Sequence, residues 1–121
     1  MSITVVNKHK VPNHIYCGRG SALGNPYIMR QEIERDSVCD AYENWFYLQV
    51  NEAAFLDKYA RIYGKGQGNY PLTTQEFMLL DLFNMVVQGQ DINLGCFCAP
   101  KRCHCDTVKT FLDHKLEELM K

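Results

Sequence analysis

Residues 95–105, GCFCAPKRCHC, hold four of the chain's six cysteines and one of its four histidines. A thiolate is both a strong nucleophile and a soft metal ligand, and imidazole serves as acid, base or ligand near neutral pH. Three chemistries are therefore open to this segment. The first is a reactive thiol, Cys98 or Cys103, with His104 as its acid or base. The second is a metal centre. Tetrahedral zinc needs four soft donors, which Cys96, Cys98, Cys103 and His104 would supply. Cys96, Cys98, Cys103 and Cys105 would instead offer an iron–sulfur cluster its four thiolates. The third is burial alone, because free cysteine is among the most buried residue types. The Cys-x-Cys pair departs from the usual ligand spacing of zinc knuckles, and the four thiols match no familiar cluster spacing. No resident metal is favoured on this ground, with zinc as the metal to consider if one binds. Cys96 reads as a core filler below the site, Cys98 stands between function and burial, and Cys103 with His104 reads as functional.

A second stretch, CGRGSALGNPY at 17–27, offers binding rather than bond-making. Gly18, Gly20 and Gly24 let backbone approach a ligand closely. Arg19 can hold a phosphate or carboxylate, and Ser21 and Asn25 add neutral hydrogen-bonding groups. Pro26 pushes Asn25 out of the α region and fixes the exit of the loop. The glycines nearly have the spacing of a dinucleotide fingerprint but miss it, so that assignment is not made. The alternative is a structural turn, in which Gly and Asn–Pro are common.

The elements that must position these groups follow from patterning. Ile3 to Val6 reads as a buried strand and Ile15 to Cys17 as a second, brief one. Residues 34–64 read as one or two helices with Asp36 or Ser37 as N-cap, an apolar stripe of Val38, Ala41, Tyr42, Trp45 and Leu48, and Gly64 as terminator. Thr73 and Glu76 have capping-box spacing, with Leu72 and Phe77 placed for a hydrophobic staple. That helix is expected to end near Gln88, with Gly89 as its left-handed cap. Ile92, Leu94, Cys96 and Cys98 then alternate with Asn93, Gly95 and Phe97 as a strand. Val108, Phe111, Leu112, Leu116 and Leu119 mark one face of a last helix, with Asp106 as its cap. Strands separated by helices predict a single α/β domain over 1–121, a small parallel or mixed sheet flanked by helices in Rossmann-like layering.

On that plan the cysteine segment straddles a strand end and a helix start, where α/β sheets collect ligands. The positive end of the helix, with Lys101 and Arg102, would favour thiolate and capture of an anion. A depressed cysteine pKa is expected there. The bulk composition is permissive. A chain of 121 residues, 46% hydrophobic and 22% charged, suits one domain with a real core. A net charge of -1 gives no footprint for nucleic acid. No apolar run approaches a membrane span, and the N-terminal residues lack signal-peptide character, so the expected compartment is the cytoplasm, with reduced thiols.

Together the two motifs resemble family 4326 of the domains of unknown function, found in bacteria and many phages. That family joins a Gly-Arg-x-Ser-x-Leu-Gly-Asn-Pro-aromatic motif to a late Cys-aromatic-Cys-x-Pro-x-x-Cys-His-Gly motif. Gly18, Arg19, Ser21, Leu23, Gly24, Asn25, Pro26 and Tyr27 match the first, and Cys96, Phe97, Cys98, Pro100, Cys103 and His104 match the second. Cys105 stands where the family usually has Gly, and Cys17 where it is usually aliphatic, so a shared role is not expected of Cys105 and Cys17 reads as packing. The resemblance implies a site at these positions and names no reaction.

The functional expectation is one pocket between the two loops for a small anionic molecule, a nucleotide or nucleotide derivative. Gly18, Arg19, Gly20, Ser21, Gly24, Asn25, Lys101 and Arg102 would bind it, and Cys98, Cys103 and His104 would supply any chemistry. The rival is a metal-stabilised or plain interaction module without catalysis, a phage protein that binds a host protein or a second copy of itself through the aromatic stretch YENWFYLQV at 42–50.

Overall fold

A computed structural model describes residues 2–10, 14–18, 21–27, 29–64, 71–96 and 101–121. Of the expected site residues, Arg19, Gly20 and Cys98 lie outside them, as do Phe97 and Pro100. Three strands form one sheet in the order β1-β3-β2: β1 Ile3–Asn7, β2 Ile15–Tyr16 and β3 Ile92–Cys96. Both pairings are parallel, with Ile3 opposite Ile92 and Ile15 opposite Leu94. In the central strand β3, Ile92, Leu94 and Cys96 are buried as expected, but Gly95 on the opposite face is buried too, as befits a strand with a neighbour on each side. Helices α1 Arg35–Gln49, α2 Phe55–Tyr59, α3 Thr74–Val87 and α4 Cys105–Leu119 complete the domain. Helix α4 packs on β1 and β3, and α3 packs on β3 and α4, so the α/β layering expected from the sequence is present.

Aromatic rings tie the helices together. Phe111 of α4 meets Phe46 of α1 at 5.4 Å and Phe55 of α2 at 5.0 Å between centroids. Phe83 of α3 meets Phe55 at 5.4 Å and Tyr59 at 4.9 Å, all edge-to-face. Truncating such a ring removes both buried area and these contacts, at about 3–5 kcal/mol. Most of the 42–50 stretch is spent in this way. Tyr42 and Phe46 are buried, Trp45 and Tyr47 pack against the core, and the large apolar side chain left exposed is Leu48.

Helix α1 departs from the expected register. A 3-10 turn, Glu32–Glu34, precedes it, and a capping box between Gln31 and Glu34 starts the turn. The helix is therefore entered before Asp36 and Ser37. Its buried positions are Cys39, Tyr42 and Phe46, while Leu48 is 83% exposed. Phe46 displaces Trp45 as the inward residue, meeting Phe111 at 5.4 Å with Tyr47 beside it at 6.2 Å. The chain after α2 ends in a π-turn, Ala60–Gly64.

Helix α3 has the capping box and the glycine cap that its sequence predicts, while Phe77, expected in a hydrophobic staple, is 62% exposed. Thr73 accepts from the Glu76 backbone N–H at 3.1 Å and Glu76 returns the bond to the Thr73 N–H at 3.1 Å. Gly89 has φ +96°, its N–H bonds to the Val86 carbonyl and the Gln90 N–H reaches back to Met85. That is the paired bonding of a glycine C-cap. Glu76 also accepts from the Asn51 N–H and from buried Lys58, each at 3.0 Å, and so fixes the α1–α2 connection onto α3.

Candidate binding cavity at the strand ends

The carboxyl ends of β2 and β3 lie side by side, because Tyr16 pairs with Gly95 and the Cys17 N–H donates to the Gly95 carbonyl. This brings the beginnings of the two motif loops together. A cavity of about 270 Å³ opens there. Among the described residues, the glycine loop contributes Gly18 and Asn25 to its wall. The cysteine segment contributes Cys96, Arg102, Cys103 and His104, and Met29, Arg35, Val38 and Cys39 close it from the side of α1. Largely apolar walls with a few convergent polar groups are the usual make-up of a small-molecule site.

The glycine loop is held from within. Ser21 donates from Oγ to the Gly18 carbonyl at 2.7 Å, and the Gly24 N–H bonds to the Ser21 carbonyl at 3.0 Å. Ser21 and Gly24 thus build the turn and stand outside the lining. Asn25, 8% exposed, accepts from the Tyr27 N–H at 2.8 Å across Pro26, an Asx turn that sets the loop's exit. Tyr42 donates to the Leu23 carbonyl at 2.7 Å and fastens the loop to α1. At Gly18 a Cβ would come within 2.5 Å of the Tyr16 ring, so any larger residue there must push that ring aside.

His104 is the inner wall. Its Nε2 hydrogen-bonds the Cys17 carbonyl, and its ring packs on Tyr42 at 5.1 Å between centroids. A carbonyl only accepts, so Nε2 carries the proton and the neutral tautomer is set. Proton transfer through Nε2 would have to break that bond. His104 also occupies the position that precedes α4. Asp106, expected as the cap, sits inside the first turn and accepts there from the Cys103 N–H at 3.1 Å.

The thiols behave differently from the expectation of a depressed pKa. Cys96, Cys103 and Cys105 are all buried, and their sulfurs lie within 4.8 Å of one another. The Cys96 and Cys103 sulfurs are 2.8 Å apart. A hydrogen bond from Cys105 pulls the Cys103 thiol down, but the bond to Cys96, burial and the neighbouring sulfur push it up, and the net shift is well above the ordinary range. Cys105 is raised further, through bonds to Cys103, Cys17 and Cys96 and by burial. Crowding thiols together in a dry site thus opposes ionisation more than the helix terminus favours it. Cys17, expected as packing, is fully buried.

The cations are already partnered. Arg102 reaches Asp36 at 2.9 Å and Asp40 at 2.7 Å, and these bonds hold it firmly protonated. Lys101 stands outside the lining, 3.6 Å from Glu32. Arg35, absent from the sequence-based set, points its guanidinium along the cavity wall. It donates to Glu32 at 2.7 and 2.9 Å and to the Arg102 carbonyl at 2.8 Å. Those bonds hold the Glu32 carboxyl down at about 2, with the Arg35 hydrogen bond the largest cause and Lys101 assisting. The sequence signal for Arg35 was only its place beside a helix start. Nothing in the spacing aims it at the cysteine segment.

Among the described residues no helix is long and apolar enough to cross a membrane. The family described as Domain of unknown function (DUF4326) matches residues 4–114. No curated protein and no solved structure matches the chain.

Proposed function

The chain belongs to the DUF4326 family, and on that footing we propose that its strand-end cavity binds a small anionic ligand of the nucleotide class. The observation that carries this reading is the shared cavity itself: Gly18 and Asn25 from one motif face Cys96, Arg102, Cys103 and His104 from the other. Met29, Val38 and Cys39 offer the apolar surface against which a base lies. Arg35 and Arg102 offer guanidinium donors for phosphate or carboxylate. A volume of about 270 Å³ favours a mononucleotide or a smaller derivative over a dinucleotide.

Arg35 is the central anion partner in this reading. Glu32 already makes the two-pronged contact that a ligand oxyanion would make, and it is exposed enough to return to water when displaced. Binding then exchanges one anion for another on the same guanidinium, with Arg102 kept in place by Asp36 and Asp40. Arg19, outside the described residues, is a further candidate from the motif. His104 and the thiols form the floor, and the reading is one of binding without an assigned reaction. A reducing compartment such as the cytoplasm belongs to it, in keeping with five described cysteines that form no disulfide.

The test is calorimetry with nucleoside 5′-monophosphates of each base, the matching nucleosides, and inorganic phosphate. Saturable binding of a monophosphate that exceeds its nucleoside is expected. Arg35→Ala removes a charged hydrogen-bonding group worth about 1.5–3 kcal/mol, so it should weaken that binding roughly ten- to a hundred-fold. Equal affinity for nucleoside and monophosphate, or an unchanged Arg35→Ala variant, would reject the assignment.

A further inference from the structure

Three sulfurs that converge in a dry corner of the fold are an unusual use of core volume. Cys96 ends β3, and Cys103 and Cys105 flank the first turn of α4. They are 1%, 3% and 0% exposed, with all three Sγ atoms within 4.8 Å of one another. As thiols they gain little from meeting. S–H is a weak donor and S a weak acceptor, and aliphatic side chains would fill the same space. As thiolates around a cation they have a purpose. We propose that, among the described residues, Cys96, Cys103 and Cys105 are ligands of one soft divalent cation of the zinc class, with a fourth position on the side of the cavity.

Four observations carry this. The first is the donor set, since three thiolates are soft ligands that select zinc over magnesium or calcium. The second is spacing. Two sulfurs each about 2.3 Å from a tetrahedral zinc are roughly 3.8 Å apart. The cluster's upper bound of 4.8 Å and the Cys96–Cys103 separation of 2.8 Å bracket that value. The shorter distance still exceeds the ~2.05 Å of a disulfide. The third is the surroundings: α4 directs its positive end at Cys103 and Cys105, and the Cys105 N–H points at the Cys103 sulfur at 3.4 Å. Backbone donation to a ligating sulfur is the kind of support that outer-shell groups give a metal centre. The fourth is access. Cys96 and Cys103 both line the cavity, so among the described residues the remaining tetrahedral position faces the cavity and is reachable by water or by an atom of whatever the cavity holds.

This ligand set differs from the one the sequence offers. His104 stands outside the group of converging donor atoms, its Nε2 being bonded to the Cys17 carbonyl. Cys105 enters because its sulfur turns inward beneath Cys103. On binding, the three thiols release their protons to solvent, and the three S–metal bonds leave the centre with one negative charge. Arg35 and Arg102 on the same wall are the nearby compensation.

The test uses the full chain, reduced with a phosphine, kept anaerobic, and given zinc alone with no nucleotide. The outcome is thus independent of whether the cavity binds an anion. One equivalent of zinc should survive gel filtration, and X-ray absorption at the zinc edge should show three sulfurs near 2.3 Å with one lighter neighbour. Cobalt in its place should give sulfur-to-metal charge-transfer bands. Cys105→Ser should lose one sulfur from the shell, and His114→Ala, at an exposed position of α4, should change nothing. A shell of oxygen and nitrogen alone, or no retained zinc, would overturn the site. So would a Cys96–Cys103 disulfide found in protein kept reduced. Four sulfurs would overturn the open position.

Discussion

Arg35 and Glu32 hold the most consequential pair in the molecule, because the carboxylate occupies the donors that an anionic ligand needs. Glu32→Gln removes the charge that competes for them. It should tighten monophosphate binding several-fold in calorimetry, whereas an Arg35 that serves only to brace the loop would give unchanged or weaker binding. His104→Ala leaves the Cys17 carbonyl without its donor and strips a ring from Tyr42. A buried group left unsatisfied costs about 1–3 kcal/mol, to be read as a lowered urea midpoint in a protein that still folds. Glu76 sets the acid limb of stability. Burial alone would raise its pKa, but donation from Thr73, Asn51 and Lys58 outweighs burial and holds it below its ordinary 4.5. A carboxyl with a lowered folded pKa contributes stability fully above its unfolded value and loses it as pH falls through the folded one. The urea midpoint should therefore fall below about pH 4.5, and Glu76→Gln should be weaker at neutral pH with a shallower acid decline.

At the level of elements, legibility tracked how local the determining physics was. The capping box at Thr73 and the glycine at 89 act within one turn, so α3 could be bounded from sequence alone. Gly89→Ala forces a side chain onto a φ of +96° and should cost about 1 kcal/mol or more by urea denaturation, a loss that a merely flexible turn would not show. Helix α1 was harder, since Trp45, Phe46 and Tyr47 are consecutive and periodicity cannot choose among three adjacent rings. The choice of Phe46 rests on Phe111, which arrives from α4 and meets it more closely than it meets Tyr47. The helix start was missed for a related reason: Gln31 and Glu34 form a capping box whose N-cap is not one of the usual Ser, Thr, Asp or Asn.

For the whole molecule, a small sheet, parallel or mixed, with two loops meeting at its carboxyl edge followed from strand–helix alternation; the structure pairs its described strands in parallel, and parallel strands gather their ends on one side. What alternation leaves open is how charges pair across that edge. Lys101 and Arg102 are next to the cysteines in sequence, yet their partners lie on the far side of the cavity in Glu32, Asp36 and Asp40. The thiol pKa expectation failed likewise, since it weighed the helix terminus and not the neighbouring sulfurs. A bound ligand should stabilise the whole domain, by about 2.7 kcal/mol at a hundred times its Kd. The most direct test of the cavity is a backbone amide NMR titration with a nucleoside 5′-monophosphate. Saturable shifts centred on Gly18, Asn25, Arg35, Cys96 and His104 are what the account predicts. A titration that leaves those amides still while others move, or that moves none, would contradict it.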